Sequence, residues 1–126
     1  MSTASETEPW HRAEESLIET TLEAFRLHRT FKQVLEKLEV KEAQRYSGRA
    51  EYVLSRIKRN LEDAGMSLHS VEEGERYDPG MAVTVLNIEE FDLDADRLVI
   101  DQMLEPIILD PQGVRRVGTV LLREVP

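Results

Sequence analysis

Residues 61–80 read LEDAGMSLHSVEEGERYDPG, and the spacing of the apolar residues changes inside this stretch. Upstream, Tyr46, Ala50, Val53, Ile57, Leu61 and Ala64 recur three and four residues apart, with Leu54 widening the stripe, which is the spacing of one helical face. Gly65 supplies the stop, because glycine takes the left-handed terminal conformation at no steric cost. Downstream, Tyr77, Asp78, Pro79 and Gly80 make a turn in which proline fixes one dihedral and glycine permits a positive one. Beyond the turn, Ala82–Ile88, Leu98–Leu104 and Arg115–Val125 are rich in β-branched and apolar residues, the last carrying Val117, Thr119, Val120, Leu121 and Leu122, and they predict three or four strands. Pro106, Asp110, Pro111 and Gly113 interrupt this half, and residues 89–96 form an acidic loop between its first two strands.

Toward the amino terminus a second helical stripe runs through Leu17, Ile18, Thr21, Leu22, Phe25, His28, Phe31, Leu35 and Leu38, opposite a solvated face of Glu14, Glu15, Glu19, Glu23, Arg26, Arg29, Lys32, Glu36 and Lys37. Residues 1–8 are small, polar and acidic, and Pro9 suits a first helical turn. The expected organisation is a disordered tail over 1–10, a helical hairpin over 11–65 and a small all-β domain over 66–126, an α+β fold. Two helices of roughly 25 residues with stripes this wide cannot cover each other, since a pair buries only a narrow seam. A second copy supplies the simplest cover. The expectation is a parallel homodimer with a four-helix bundle, burying Leu17, Leu22, Phe25, Phe31, Leu35, Val53, Ile57 and Leu61 between chains. The alternative is that the β half folds back over the stripe within one chain.

At 126 residues the chain suits one domain, or a helical segment plus a small one. The net charge of −9 is uneven: residues 1–65 hold 11 basic against 12 acidic residues, and residues 66–126 hold 5 against 13 with no lysine. An acidic half of this kind does not attract a phosphate backbone, so nucleic acid is not expected as a partner. No apolar run approaches the roughly 20 residues of a membrane span, and the first residues do not read as a signal peptide, so no membrane association and a cytoplasmic location are expected. Without cysteine there is no disulfide, thiolate metal site or thiol nucleophile. His11, His28 and His69 are scattered without metal-site spacing, and His28 falls on the apolar stripe as a packed residue. Asp92, Asp94 and Asp96 resemble the start of a calcium loop, but Arg97 stands where the tight turn needs glycine and Met103 where a bidentate glutamate is required. No nucleophile elbow or phosphate loop occurs. No catalytic residues, metal or cofactor are expected, and the chain reads as a binding module rather than an enzyme.

Leu61, Glu62, Asp63, Ala64, Gly65 and Met66, followed by Glu73, Gly74, Glu75, Arg76, Tyr77, Asp78 and Pro79, resemble the junction between bundle helix and β-domain in the GrpE-type nucleotide exchange factors of DnaK-type heat-shock chaperones. Leu17, Ile18, Leu22 and Phe25 look like that family's first bundle helix. Arg115, Val117, Leu121 and Leu122 sit where its last strand opens on an arginine. The chain departs from the pattern in several places. Met81, Ala82 and Val83 stand where the family usually has a histidine, Pro106 and Ile107 where it has Gly-Tyr, and Gly118 where it has a second arginine; Asp110, Pro111 and Gln112 look like an insertion. The paired stalk helix that precedes the bundle in that family is expected to be missing here, since only about a dozen residues stand before the stripe.

The resemblance implies a homodimeric, stress-related co-chaperone whose β-domain presses on the chaperone's nucleotide-binding domain and favours its open cleft, so that ADP leaves. Tyr77, Asp78 and Pro79 are assigned to the turn that leads into the β-domain rather than to contact. The partner surface is expected around Met103, Leu104, Glu105, Arg115 and Arg116, because methionine and arginine are enriched in interface cores and this half is otherwise poor in positive charge. By the resemblance Arg115 is the better arginine of the two. The competing reading is that Met103 and Leu104 are core and the arginines keep a strand end soluble. At the level of function the alternative is a dimeric helical adaptor or assembly protein whose β-domain docks a different protein.

Overall fold

A computed structural model of the chain describes residues 9–91 and 97–125. It divides into two compact units, Met1–Gly65 and Met66–Pro126. In the first, helix α1 spans Pro9–Leu35 and helix α2 spans Val40–Asp63, packed on each other as a hairpin. Pro9 opens α1 as its fixed φ allows, two residues inside the expected tail; residues 1–8 lie outside the described residues. The four-residue connection is tightened by Lys37 N–H donating to the Val34 carbonyl and Leu38 N–H to the Leu35 carbonyl. Gly65 closes α2 with φ of 81°, and its N–H donates to the Glu62 carbonyl. Ile18, Thr21, Leu22 and Leu35 are buried on α1, Ala50 and Leu61 on α2. No described helix is long and apolar enough to cross a membrane.

Among the described residues the second unit holds six strands rather than three or four: β1 Ser67–His69, β2 Val83–Val85, β3 Leu98–Glu105, β4 Ile107–Asp110, β5 Gly113–Arg116 and β6 Gly118–Glu124, with a 3-10 turn over Ile88–Glu90. They form two three-stranded sheets, ordered β1-β4-β5 and β2-β6-β3. The expected strand over Arg115–Val125 is two strands parted at Val117, and Leu98–Leu104 is continued past Pro106 by β4. Both corrections have one cause. β3 with β4 and β5 with β6 are the arms of one long hairpin bent where Pro106 removes a ladder donor, so each arm contributes to both sheets. Register shifts at Ile100/Gln102, Met103/Glu105 and Ile108/Leu109 put two residues of one arm against one of the other along the hairpin. Its tip, Asp110-Pro111-Gln112-Gly113, has aspartate, proline and glycine at the positions a type I turn favours, and the Asp110 carboxylate accepts the Gln112 N–H at 2.8 Å.

β6 is the axis of the larger sheet, antiparallel to β3 and parallel to β2. The strand expected over Ala82–Ile88 is ordered as a ladder only at Val83–Val85, and a side chain extends it. Leu86 N–H donates to the Val120 carbonyl, and then the Asn87 carboxamide both donates to the Leu122 carbonyl and accepts its N–H, each at 2.9 Å, standing in for a strand residue. On the other side of β3 the chain from Gly74 to Tyr77 adds a further edge: Gly74 N–H donates to the Ile100 carbonyl, Ile100 N–H to that of Glu75, and Tyr77 N–H to that of Leu98. Leu98, Ile100, Met103, Val120 and Leu122 form the core, with Val71, Tyr77, Met81, Val83, Val85, Phe91 and Ile107 packed against it.

Gly118 is where two layers meet. A Cβ there would stand 2.8 Å from the Glu105 carbonyl oxygen and 2.9 Å from Met103 Cε, and backbone cannot retreat as a side-chain end can. The arginine of the resembling family therefore has no room at this position. By contrast Gly48, inside α2, faces open space. Gly118→Ala should lower stability by about 1–3 kcal/mol through overpacking, whereas Gly48→Ala should raise it by up to about 1 kcal/mol through helix propensity. Urea titration of the two variants checks this; a Gly118→Ala protein as stable as wild type would contradict the close approach.

Candidate functional site

The turn residues come first. Asp78 folds its carboxylate back to accept the Gly80 N–H at 3.0 Å, while its carbonyl accepts the Met81 N–H at 2.9 Å. Pro79 occupies the bend between them, and Tyr77 is half-buried against the β core. Tyr77 and Asp78 thus have bonds or packing inside the unit, while Pro79 is exposed. The turn carries the chain from the β3 edge toward β2 rather than opening the β unit as expected, because β1 at Ser67–His69 already precedes it.

The residues expected at the partner surface do not share one environment. Met103 is only 9% exposed and belongs to the core, its sulfur accepting the Val71 N–H at 3.3 Å. It is corrected from surface to core, because the register shift beside it turns its side chain inward while Leu104 and Glu105 stay half-buried. Glu105 accepts the Thr119 hydroxyl at 3.0 Å across the β3–β6 ladder. Arg115, on the edge strand β5, lies 3.7 Å from the Asp110 carboxylate, and both are mostly shielded from solvent. Arg116 is half-buried opposite Ile108. Leu104, Glu105 and Arg116, each half-buried, and the more shielded Arg115 stand near the bend of the hairpin. A separate ion pair, Arg123 with Asp101 at 3.5 Å, lies further along β3 and β6.

On the helical hairpin, Leu22, Leu35 and Leu61 are already buried within one chain and need no second copy to cover them. Leu17, Phe25, Phe31 and Ile57 are half-buried. Val53 is 51% exposed, and it is joined by Leu27 at 71% and Val34 at 49%, which the sequence reading did not single out. Ala24, Leu27, Phe31 and Val34 recur at spacings of three and four, so they share an α1 face beside the buried one. That second stripe was the available signal. It is masked in the sequence because one broad apolar band contains both faces.

Among the described residues no group of three or more histidines, aspartates or glutamates is placed to hold a metal ion, and Asp92, Asp94 and Asp96 lie outside those residues. A shallow open groove of about 420 Å³ at the closed end of the hairpin is lined by Lys32, Leu35, Glu36, Ala43, Gln44, Ser47 and Gly48, with no group poised for chemistry. Comparison with known proteins finds no matching family, curated protein or solved structure.

His28 lies on the apolar face of α1 with its side chain buried. Its side chain is 8% exposed and its Nε2 has no hydrogen-bond partner, standing 3.9 Å from the Glu51 carboxylate. Burial lowers its pKa below the usual histidine value; Glu51 and the Ala50 backbone oppose the shift, and Lys32 and Lys58 add to it. The folded chain therefore holds His28 neutral where the unfolded chain already binds a proton, so stability falls as pH drops through about 6.5. Urea midpoints between about pH 7.5 and 5.5, where carboxylates remain ionised, should decline for wild type and less for His28→Gln. An equal decline in both would remove His28 as the cause.

Proposed function

We propose that the chain is a GrpE-like nucleotide exchange factor, a homodimeric co-chaperone that promotes ADP release from a DnaK-type chaperone through its β unit. The observation that carries the reading is the pairing of a helical hairpin with a small β unit, joined at Gly65, with the Tyr77-Asp78-Pro79 turn inside the β unit between the β3 edge and β2. A second copy covering Leu27, Phe31, Val34 and Val53 accounts for apolar side chains that one chain leaves at the surface.

The mechanism needs no reacting group. The factor binds the open cleft of the nucleotide-binding domain more tightly than the ADP-closed one, and by reciprocity ADP weakens the factor's binding by the same amount, usually about 1–3 kcal/mol for such couplings. The contact is assigned to Leu104, Glu105, Arg115 and Arg116. Arg115 is the strongest candidate for a charged anchor: Asp110 orients it, and interface arginines often dominate binding.

Release of a fluorescent ADP analogue from a purified DnaK-type chaperone tests this. Wild type should accelerate release, and Arg115→Ala should require about thirtyfold more protein for the same effect. Arg26→Ala, a change on an exposed helix face where Arg26 pairs with Glu23 three residues away, should match wild type. Equal acceleration by all three removes Arg115 from the contact, and no acceleration across several chaperones leaves the dimeric adaptor as the better reading. Sedimentation of the same preparation should show a dimer at micromolar concentration; a monomer there would sink the bundle.

A further inference from the structure

The back of α2, opposite its buried stripe, carries a pattern that neither the fold nor the proposed exchange activity uses. Between Lys41 and Arg59 lie six basic residues against two acidic ones, in a chain whose net charge is −9. Arg45, Gly48, Tyr52, Ser55 and Arg59 are spaced 3-4-3-4 and therefore line one face, about 21 Å long. Arg49 and Arg56, seven residues apart, flank it. All seven are exposed, and Tyr52 remains 64% accessible.

Three details set this face apart from an ordinary solvated one. Four of its five cations are arginines, with Lys41 one turn ahead of Arg45 as the fifth, and the arginine fork of donors fits carboxylates two at a time, whereas a solvated face gains as much from lysine. Arg45 is held over the Tyr46 ring, 5.6 Å from its centroid, which limits the rotamer freedom lost on binding. Gly48 and Ser55, two turns apart on either side of Tyr52, are small where helix propensity would prefer alanine. Nothing in the chain requires glycine at 48, and the Ser55 hydroxyl is folded onto the Tyr52 carbonyl at 2.7 Å. Small residues around one exposed aromatic let another helix approach closely.

We infer that the back of α2 is a docking face for an acidic helix of a partner protein, with Gly48, Tyr52 and Ser55 against the partner's backbone and Arg45, Arg49, Arg56 and Arg59 on its carboxylates. Charge complementarity favours a compact acidic helix over an extended polyanion. A nucleic acid or an anionic bilayer would carry negative charge past the ends of a 14-residue stripe in a chain whose other unit has 13 acidic residues against 5 basic ones. Tyrosine and arginine are also the residues that dominate protein–protein contacts.

Fluorescence anisotropy with the full chain tests the face. The probe is a labelled alanine-based peptide with glutamates three and four residues apart on one helical side. The comparison ligands are a peptide of the same composition with its glutamates spread around the helix, a single-stranded DNA oligonucleotide and vesicles containing phosphatidylserine. The one-sided peptide should bind best and more weakly as salt rises. The double variant Arg49→Glu, Arg56→Glu should lose about tenfold or more in affinity. Gly48→Leu, which keeps every charge, should also lose affinity with its circular dichroism unchanged. Failure of the one-sided peptide to bind, equal binding of the two peptides, tighter binding of DNA or vesicles, or indifference to Gly48→Leu would each overturn the assignment.

Discussion

The β unit depends on the close crossing of β6 over the β3–β4 bend at Gly118. With only a hydrogen in place of a side chain, the β6 backbone approaches the Glu105 carbonyl and the end of Met103, and Val120 and Leu122 then enter the same core as Leu98 and Ile100. Everything else in the unit is hung on that strand. β2 pairs with it in parallel, Asn87 satisfies the Leu122 backbone that the short β2 cannot reach, and the long hairpin turns its far halves into a second sheet. A buried backbone pair left unsatisfied costs about 1–3 kcal/mol per group, so the single carboxamide of Asn87 matters more than its position in a loop suggests.

This explains which parts of the fold were legible in the sequence. The helices were legible because a period of three and four over six turns is a long signal, and Gly65 ended it as expected, with φ of 81°. The β half was legible as β but not in its topology. Four of its described strands have only three or four residues, too short for alternation to show, and Pro106 and Val117 disguise one bent hairpin as separate segments. Asn87 could not be recognised, because an amide replacing a strand residue has no sequence period. Gly118 stood out as a missing arginine, while its reason, a backbone oxygen 2.8 Å from where a Cβ would be, depends on residues 13 positions away.

The candidate site follows the same division. Asp78 with Pro79 and Gly80 carried a local turn signal, and its bonds are local. Met103 was placed at the surface on residue type, with the core as the competing reading; two register shifts along β3 break the alternation that would have shown which face it takes. Arg115 was placed by residue type and the scarcity of positive charge in this half, and preferred to Arg116 by resemblance; its pairing with Asp110 arises from the tight β4–β5 turn. The two units divide the labour in this reading. The acidic β unit offers the residues near its hairpin bend, and the helical hairpin offers long faces, one apolar and one basic, for holding partners.

The central structural claim is that β6 is the axis of a β unit whose stability is separate from that of the hairpin. Amide hydrogen exchange of wild type and Asn87→Ala, read residue by residue, tests it most directly. The account predicts that the slowest β-unit amides are those of Val120 and Leu122, and that Asn87→Ala speeds exchange along β6 and its partners β2 and β3 while leaving the α1 and α2 amides unchanged. Uniform acceleration through both helices, or a β6 no slower than the chain from Gly74 to Tyr77, would contradict it.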